Sequence, residues 1–217
     1  MAKKNDKYQQ YKTGDIFSFK ISEQEYGFGQ VILDVYNQGM KRGLIDKSSR
    51  IYFGTNETIL IDVFKYTSIE STFDPSKSER LIPGLFTSHA DILLGYWQII
   101  GDRPIDTKKI DFPEFLSHQG QSKGQFTKGE VSVSIEMDFQ EVESLALFPT
   151  EISSINVPKF AAFLLGKNDD QKMNLGNHDI RFSKEKEKIY SKLPEEFKQD
   201  YYSLSSSKGF DIERFYK

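Results

Sequence analysis

The sequence predicts an α+β protein: a mainly antiparallel, strongly bent sheet or small β-barrel, with helices contributed by the C-terminal third. Three observations favour this class. Short apolar segments separated by polar turns fill residues 13–104. From Val131 to Phe139 apolar and polar residues alternate strictly, as in a strand with one buried face. After residue 150 the pattern changes to a short apolar segment between Pro158 and Gly166, which is typical of a helix.

Composition indicates a globular chain with a sizeable core. Of the 217 residues, 37% are hydrophobic and 14% aromatic, which does not fit a disordered chain. The absence of cysteine excludes a disulfide framework, a thiolate nucleophile and a Cys-ligated metal. The formal charge of −3 does not point to a polyanionic partner.

The chain carries no recognisable targeting or membrane segment. Residues 1–7 are charged and lack an apolar stretch, and no run approaches the ~18 apolar residues of a membrane span. We therefore expect a cytoplasmic protein that does not contact a membrane.

The first two predicted strands form a hairpin. Residues 15–21 are mostly apolar around polar positions, and a polar turn at 22–25 leads to a second strand at 26–36. Gly27 and Gly29 lie two apart, so they face the same side of that strand. Because glycine in a strand typically marks a bulge, a bend or a close backbone approach, we expect these two residues to bend the sheet.

Three further segments have strand-like patterns. Residues 51–53 suggest a short strand, and residues 58–66 a longer one whose near-continuous apolar run favours a central position covered on both faces. The pattern alone does not distinguish this run from a buried helix. Residues 81–86 are predicted to be an edge or bent strand, since Pro83 lacks a backbone donor.

The C-terminal third is predicted to be mainly helical. Ser183 and Pro194 are typical of helix starts, whereas residues 204–209 suggest a flexible joint before 210–216. The predicted helices are 159–165, 184–192 and 194–202. We divide the chain into a polar tail at 1–12, a β-rich domain at 13–150 and a mainly helical extension at 151–217 that packs on it.

Trp97 is the sole tryptophan and lies in a predicted strand at 97–100 that ends in a turn at 101–104. Alternation places it with Ile99, opposite Tyr96. Burial in the core, worth about 3 kcal/mol, is the favoured interpretation. The alternative is a binding hot spot on a partner surface, where tryptophan is enriched.

No catalytic, cofactor or metal site follows from the motifs. His89 with Asp91, or His178 with Asp179, supplies at most two metal ligands, and no third ligand lies at a diagnostic spacing. Ser88, His89 and Asp91 have the residue types of a catalytic triad, but no nucleophile-elbow motif supports one. The glycines at 27 and 29 match neither phosphate-binding pattern. The three histidines are His89, His118 and His178.

A nucleic-acid-binding module is an alternative, because small β-barrels often present aromatic platforms with basic neighbours. The candidate rings are Tyr26, Phe28, Tyr96 and Trp97. The basic residues cluster in one loop and are Lys41, Arg42, Lys47 and Arg50. A solvated loop is the commoner explanation for such a cluster.

The order and spacing of four segments resemble the bacterial immunity protein 26 family of polymorphic toxin systems. The segments are KTGDIF at 12–17, YGFGQVI at 26–32, ILIDVF at 59–64 and GYWQIIGDRP at 95–104. The resemblance covers roughly residues 12–104, and the segment after about residue 150 lies outside it.

The resemblance implies a mostly β, non-enzymatic immunity protein that binds a cognate protein toxin and neutralises it. No spacing identifies the contact residues, and the oligomeric state stays open. Two alternatives are kept: the nucleic-acid-binding module, and a small hydrolase that uses His89 and Asp91.

Overall fold

The structure is a computed structural model that describes residues 8–118, 123–145 and 151–217. In this part of the chain, eight strands form two antiparallel sheets, and short helices surround them. The predicted α+β class and the mainly antiparallel sheet are therefore confirmed. Of the two predicted architectures, the structure has the open sheet, since the described strands do not close into a barrel.

The larger sheet has five strands: β1 Asp15–Ser22, β2 Glu25–Asp34, β3 Thr58–Ser68, β4 Arg80–Ser88 and β5 Gln98–Asp102. Their order is β4-β3-β2-β1-β5, and every neighbouring pair is antiparallel. The internal position of β3 and the edge position of β4 were both predicted. β5 begins one residue later than expected and takes up the first two residues of the predicted turn, because Gly101 and Asp102 pair with the start of β1.

Gly27 and Gly29 make room for aromatic rings on β2. A Cβ atom at Gly29 would lie 2.5 Å from the Phe17 ring and 2.6 Å from the carbonyl oxygen of Asp62. A Cβ atom at Gly27 would lie 2.7 Å from the Phe19 ring. The pairing of β2 with β3 also shifts register between the two glycines. A register shift and a close approach, two features that strand glycines typically mark, are thus both present here.

The second sheet contains β6 Glu114–His118, β7 Lys123–Lys128 and β8 Val131–Glu136, with β7 in the centre. In β8, Val131 and Ile135 are buried and Ser134 is exposed, as the alternation predicted. The strand is shorter than expected. The Asp138 carboxylate accepts a hydrogen bond from the Glu141 N–H (2.8 Å), a helix-capping contact that starts a helix where the strand was predicted to continue. The side chain of Phe139 lies outside the described part.

Five α-helices occur in the described residues: α1 Ala90–Leu93, α2 Phe139–Leu145, α3 Val157–Leu164, α4 Lys186–Tyr190 and α5 Tyr201–Ser207. None of them has the length and apolar character needed to cross a membrane. The predicted helix between Pro158 and Gly166 is confirmed as α3. Gly166 follows it with a φ of +70°, a backbone conformation that favours glycine.

Two expectations for the first half are wrong. β2 ends at Asp34, whose carboxylate accepts the Asn37 N–H (2.8 Å) and starts a π-helical turn, Val35–Met40. Residues 51–53 form no strand. The Tyr52 N–H donates to the Ser49 carbonyl (3.1 Å), so this segment turns instead of pairing.

The helices of the C-terminal third differ from their predicted bounds. The predicted helix at 184–192 contracts to α4, and that at 194–202 divides into a 3₁₀ turn, Glu195–Lys198, and α5. The Asp200 carboxylate accepts the Ser203 N–H (2.9 Å) and begins α5 there. The predicted flexible joint at 204–209 is wrong, because Leu204 is fully buried within this helix.

Two large apolar clusters form the core. The first contains Phe17, Phe19 and Trp97 and is covered by Phe160 of α3. The second includes residues of β2, β6, β7 and β8 and is completed by the C-terminal segment. Its largest fully buried members are Phe86, Phe112, Phe126, Tyr201 and Phe215. Residues after 150 therefore supply part of both clusters.

A buried ionic network joins the two sheets. The Arg181 guanidinium is paired with Asp179 (2.6 Å) and Asp111 (3.2 Å), and it donates to the Gly84 carbonyl (2.7 Å). Burial raises the pKa of the nearby Asp62 carboxyl from its ordinary 3.8 to about 6, and Arg80 opposes this rise. Asp62 Oδ1 accepts the Gly84 N–H (2.7 Å). Each member has a partner, as buried charges require.

Replacing Gly29 with alanine should destabilise the protein by about 1–3 kcal/mol, because the new methyl group would overlap the Phe17 ring and the β3 backbone. The control is Gly101→Ala, where a Cβ atom would meet no atom within 4 Å. Urea unfolding of the two variants provides the measurement. Equal stabilities would contradict the close approach of Phe17 to Gly29.

We compare the unfolding free energy of Asp62→Asn with that of the native protein. The difference, variant minus native, should rise by about 2 kcal/mol between pH 4 and pH 7. A carboxyl whose pKa is raised in the folded state binds protons more tightly there. Its contribution to stability is therefore lost as pH rises from about 4 to about 6. Asparagine keeps the acceptor oxygen without this cost. Denaturant titrations at each pH provide the measurement. The control Asp106→Asn, at an exposed carboxyl, should show no such rise. A difference for Asp62→Asn that does not change with pH would contradict the raised pKa of Asp62.

Candidate interaction surface

The three histidines lie on separate elements. His89 precedes α1, His118 ends β6, and His178 follows a 3₁₀ turn, Leu175–Asn177. Within the described ranges, no three histidine or acidic side chains converge in a way that could hold a metal ion. Neither predicted metal pair thus gains a third ligand.

The residues with triad chemistry have separate hydrogen-bond partners. The Ser88 hydroxyl accepts the Ala90 N–H (3.1 Å) and donates to the Glu57 carboxylate (3.3 Å). The His89 ring contacts Tyr11 instead (Nδ1 to Oη, 2.8 Å). Asp91 is buried in the first turn of α1. The structure does not bring these groups together as a nucleophile and base.

His89 belongs to a hydrogen-bonded chain that fixes the residues before β1. The Tyr11 hydroxyl donates to Asp34 Oδ2 (2.8 Å). Since a hydroxyl has only one proton, we assign the proton of His89 to Nδ1, from which it donates to Tyr11 Oη. Burial, and then the Asp34 carboxylate, raise the pKa of Tyr11, so its hydroxyl stays neutral. These hydrogen bonds connect Tyr11 to β2 and to the start of α1.

His178 and Asp179 have different surroundings. Asp179 is buried and paired with Arg181, whereas the His178 ring packs edge-on against Phe160 (5.6 Å between centroids). Burial lowers the pKa of His178. Both side chains therefore have structural roles.

The rings proposed as a nucleic-acid platform do not form one. Phe28 is fully buried, stacked on Tyr66 (5.3 Å between centroids), and Trp97 lies in a different cluster. The Arg42 guanidinium donates to the carbonyl of Phe215 (3.0 Å), so it holds the C-terminal segment. The two buried rings are thus not available for stacking on bases.

Trp97 anchors the segment between α1 and β5. Its ring is 2% exposed and stacks on Phe17, with 4.8 Å between centroids and 9° between planes. The backbone N–H of Trp97 donates to the Asp91 carbonyl (2.9 Å). The prediction that Trp97 is a core residue is confirmed. Because Trp97 is fixed to both α1 and β1, the turn that precedes it starts from a rigid base.

That turn exposes two large apolar side chains. Leu94 is 57% and Tyr96 71% exposed, and Gly95 between them has a φ of +76°. The Gly95 N–H donates to the Ile92 carbonyl (3.0 Å) and the Leu94 N–H to the Ala90 carbonyl (2.9 Å). The backbone of the turn is therefore bonded to α1 while its side chains face solvent.

Residues 8–11 lie beside the same turn and hold it in place. The Gln9 N–H donates to the Leu93 carbonyl (3.0 Å), and its side-chain amide donates to the carbonyls of Ile92 (3.1 Å) and Trp97 (2.8 Å). These bonds place Tyr8, which is itself exposed, next to α1. On another side of α1, the 3₁₀ turn Ser154–Asn156 presents exposed Ile155.

We call the exposed apolar residues around α1 the α1 surface; they are Tyr8, Leu94, Tyr96 and Ile155. They are four of the five large apolar side chains exposed in the described residues, the fifth being Ile69 after β3. Two carboxylates lie near the start of α1: Glu57, bonded to Ser88, and Glu151, which accepts the hydroxyl of Thr58, the residue paired with Ser88. Exposed apolar side chains with polar neighbours are typical of a protein-interaction site.

Sequence reasoning noticed Tyr96 but missed the other three. Tyr8, Leu94 and Ile155 come from distant parts of the chain, and no local pattern links them. The one available signal was the apolar pair Leu94 and Tyr96 on either side of Gly95, a residue typical of turns.

The family model for immunity protein 26 matches residues 12–127. The chain belongs to the immunity protein 26 family. The matched segment contains β1 to β6, α1, and the Leu94 and Tyr96 side chains of the α1 surface. No curated protein and no solved structure matches the chain.

Alanine substitution should lower the stability of the protein strongly at Trp97 and hardly at all at Tyr96. Trp97→Ala removes a buried stacked ring and is expected to cost about 3–5 kcal/mol of unfolding free energy. Tyr96→Ala, at an exposed position, should change it by no more than about 0.5 kcal/mol. Chemical denaturation of the two variants makes the comparison. A large loss at Tyr96 would show that its ring packs in the fold and is not free for a partner.

Proposed function

We propose that this protein is a non-enzymatic immunity protein that binds a cognate protein toxin in the cytoplasm and neutralises it. Membership of the immunity protein 26 family, over residues 12–127, is the observation that carries the proposal. The geometry around His89 fits a binding role, since this histidine ties Tyr11 to α1 while the neighbouring Ser88 hydroxyl donates to Glu57.

The α1 surface is the contact that we propose for the toxin. Exposed Leu94 and Tyr96 lie on a backbone that is already ordered by Gln9 and Trp97. A rigid aromatic side chain loses little conformational freedom on binding, and tyrosine is enriched among the residues that dominate binding energy. A toxin with an apolar hollow bordered by basic residues would complement both Tyr96 and the neighbouring Glu57 and Glu151.

We also propose that residues 13–150 are the immunity domain and residues 151–217 an extension packed on it. Tyr201, Leu204 and Phe215 share a cluster with Phe112 of the matched segment. The Tyr216 hydroxyl donates to the Ile32 carbonyl of β2 (2.7 Å). The extension is then part of the fold, and Ile155 brings it to the α1 surface.

The test is co-expression with the protein toxin encoded by the neighbouring open reading frame. The native chain should restore growth and should form a complex with the toxin in a pull-down. The double variant Leu94→Ser/Tyr96→Ala should bind at least about tenfold more weakly, because it removes the apolar contacts while leaving the fold intact.

The matched control is Ile69→Ser, since Ile69 is 81% exposed but lies away from α1, after β3. This variant should bind like the native chain. Absence of both protection and complex with the native chain would contradict the proposed function. An equal loss in the control and in the double variant would contradict only the role of the α1 surface.

A further inference from the structure

Arg103 follows β5 and has a fixed backbone. Its N–H donates to the Gly14 carbonyl (2.9 Å), and its own carbonyl accepts the side-chain amide of Gln30 (2.8 Å). Gln30 is buried in β2, so the position of Arg103 is set from the centre of the sheet.

Arg103 is a partly buried residue whose guanidinium makes no hydrogen bond or ion pair with any residue that the structure describes. The carboxylates nearest in sequence already have other partners. Asp102 is paired with Lys12 (3.1 Å) and Asp106 with Lys109 (3.2 Å). The guanidinium is therefore free to pair with an anionic group of a partner.

Three hollows meet at Arg103 and Pro104, which line all of them. One of about 250 Å³ has apolar walls that include Ile16, Phe73 and Ile100. A second, of about 140 Å³, is more polar and contains Asp62 and Arg80. The third, of about 420 Å³, reaches Lys12 and Phe215. We call these three hollows together the Arg103 groove, because Arg103 and Pro104 line each of them.

We propose that the Arg103 groove receives a segment of the toxin that carries a carboxylate next to an apolar side chain; this rests on the proposed function. The planar guanidinium binds a carboxylate through two parallel hydrogen bonds. The apolar side chain enters the hollow beside Phe73. Asp62, Asp102 and Asp106 also line the groove, which disfavours a polyanion such as nucleic acid more than a single carboxylate.

The groove and the α1 surface lie at opposite ends of β5. The seven residue steps from Tyr96 to Arg103 span at most roughly 23 Å, which is short enough for both to lie within one interface of ordinary size, about 800 Å² per partner. The toxin would then contact an aromatic anchor at one end of β5 and a charged one at the other.

The experiment measures the affinity of the full chain and its variants for the toxin encoded beside it, by titration calorimetry. Arg103→Gln should weaken binding at least about tenfold, and Arg103→Lys, which keeps the charge without the planar fork, should weaken it less. Lys108→Gln is the matched control, because it removes an exposed cation outside the groove and changes net charge equally. It should change the affinity less than about twofold.

Thermal unfolding of each variant shows whether the fold is retained, and Arg103→Lys serves if Arg103→Gln does not fold. A native chain that binds no toxin would overturn the proposed function and the groove with it. Native binding that Arg103→Gln and Arg103→Lys leave unchanged would overturn the groove alone. Equal weakening by Arg103→Gln and Lys108→Gln would also overturn it, since that result indicates general charge attraction.

Discussion

The stack of Trp97 on Phe17, seated over the bare backbone of Gly29, is the contact on which the rest of the structure depends. It joins three strands and the end of α1 in one place, because Phe17 belongs to β1, Gly29 to β2, and Trp97 leads into β5. Close ring packing of this kind tolerates little change in volume. The loop before Trp97 is therefore positioned by the core although its own side chains face solvent.

This arrangement separates the residues that build the protein from those free to contact a partner. The titratable side chains that could take part in chemistry, such as His89, Asp179 and Arg181, have hydrogen-bond or ion-pair partners inside the molecule. Among the described residues, the side chains of Tyr96 and Arg103 have none. The turn that carries Tyr96 is nevertheless bonded to α1, and the Arg103 backbone to Gly14 and Gln30. Side chains on an ordered backbone lose less freedom when they bind, which suits the proposed binding role.

The sequence predicted the class, the hairpin and α3 because their signals are local: alternation, two spaced glycines, and Pro158 with Gly166. It failed where a side-chain cap decided the outcome, as when Asp138 started a helix within a predicted strand and Asp200 started α5 within a longer predicted helix. Most residues of the candidate site could not be predicted from the sequence. Its residues meet only through the fold, and an arginine without a partner is recognisable only when its surroundings are known.

The most direct test of the account is amide hydrogen exchange on the native chain, alone and bound to its toxin. The account predicts that binding slows exchange in residues 90–103, from α1 to Arg103, and beside them in residues 8–12. Slowed exchange restricted to the helical residues 184–217, with residues 90–103 unchanged, would contradict it.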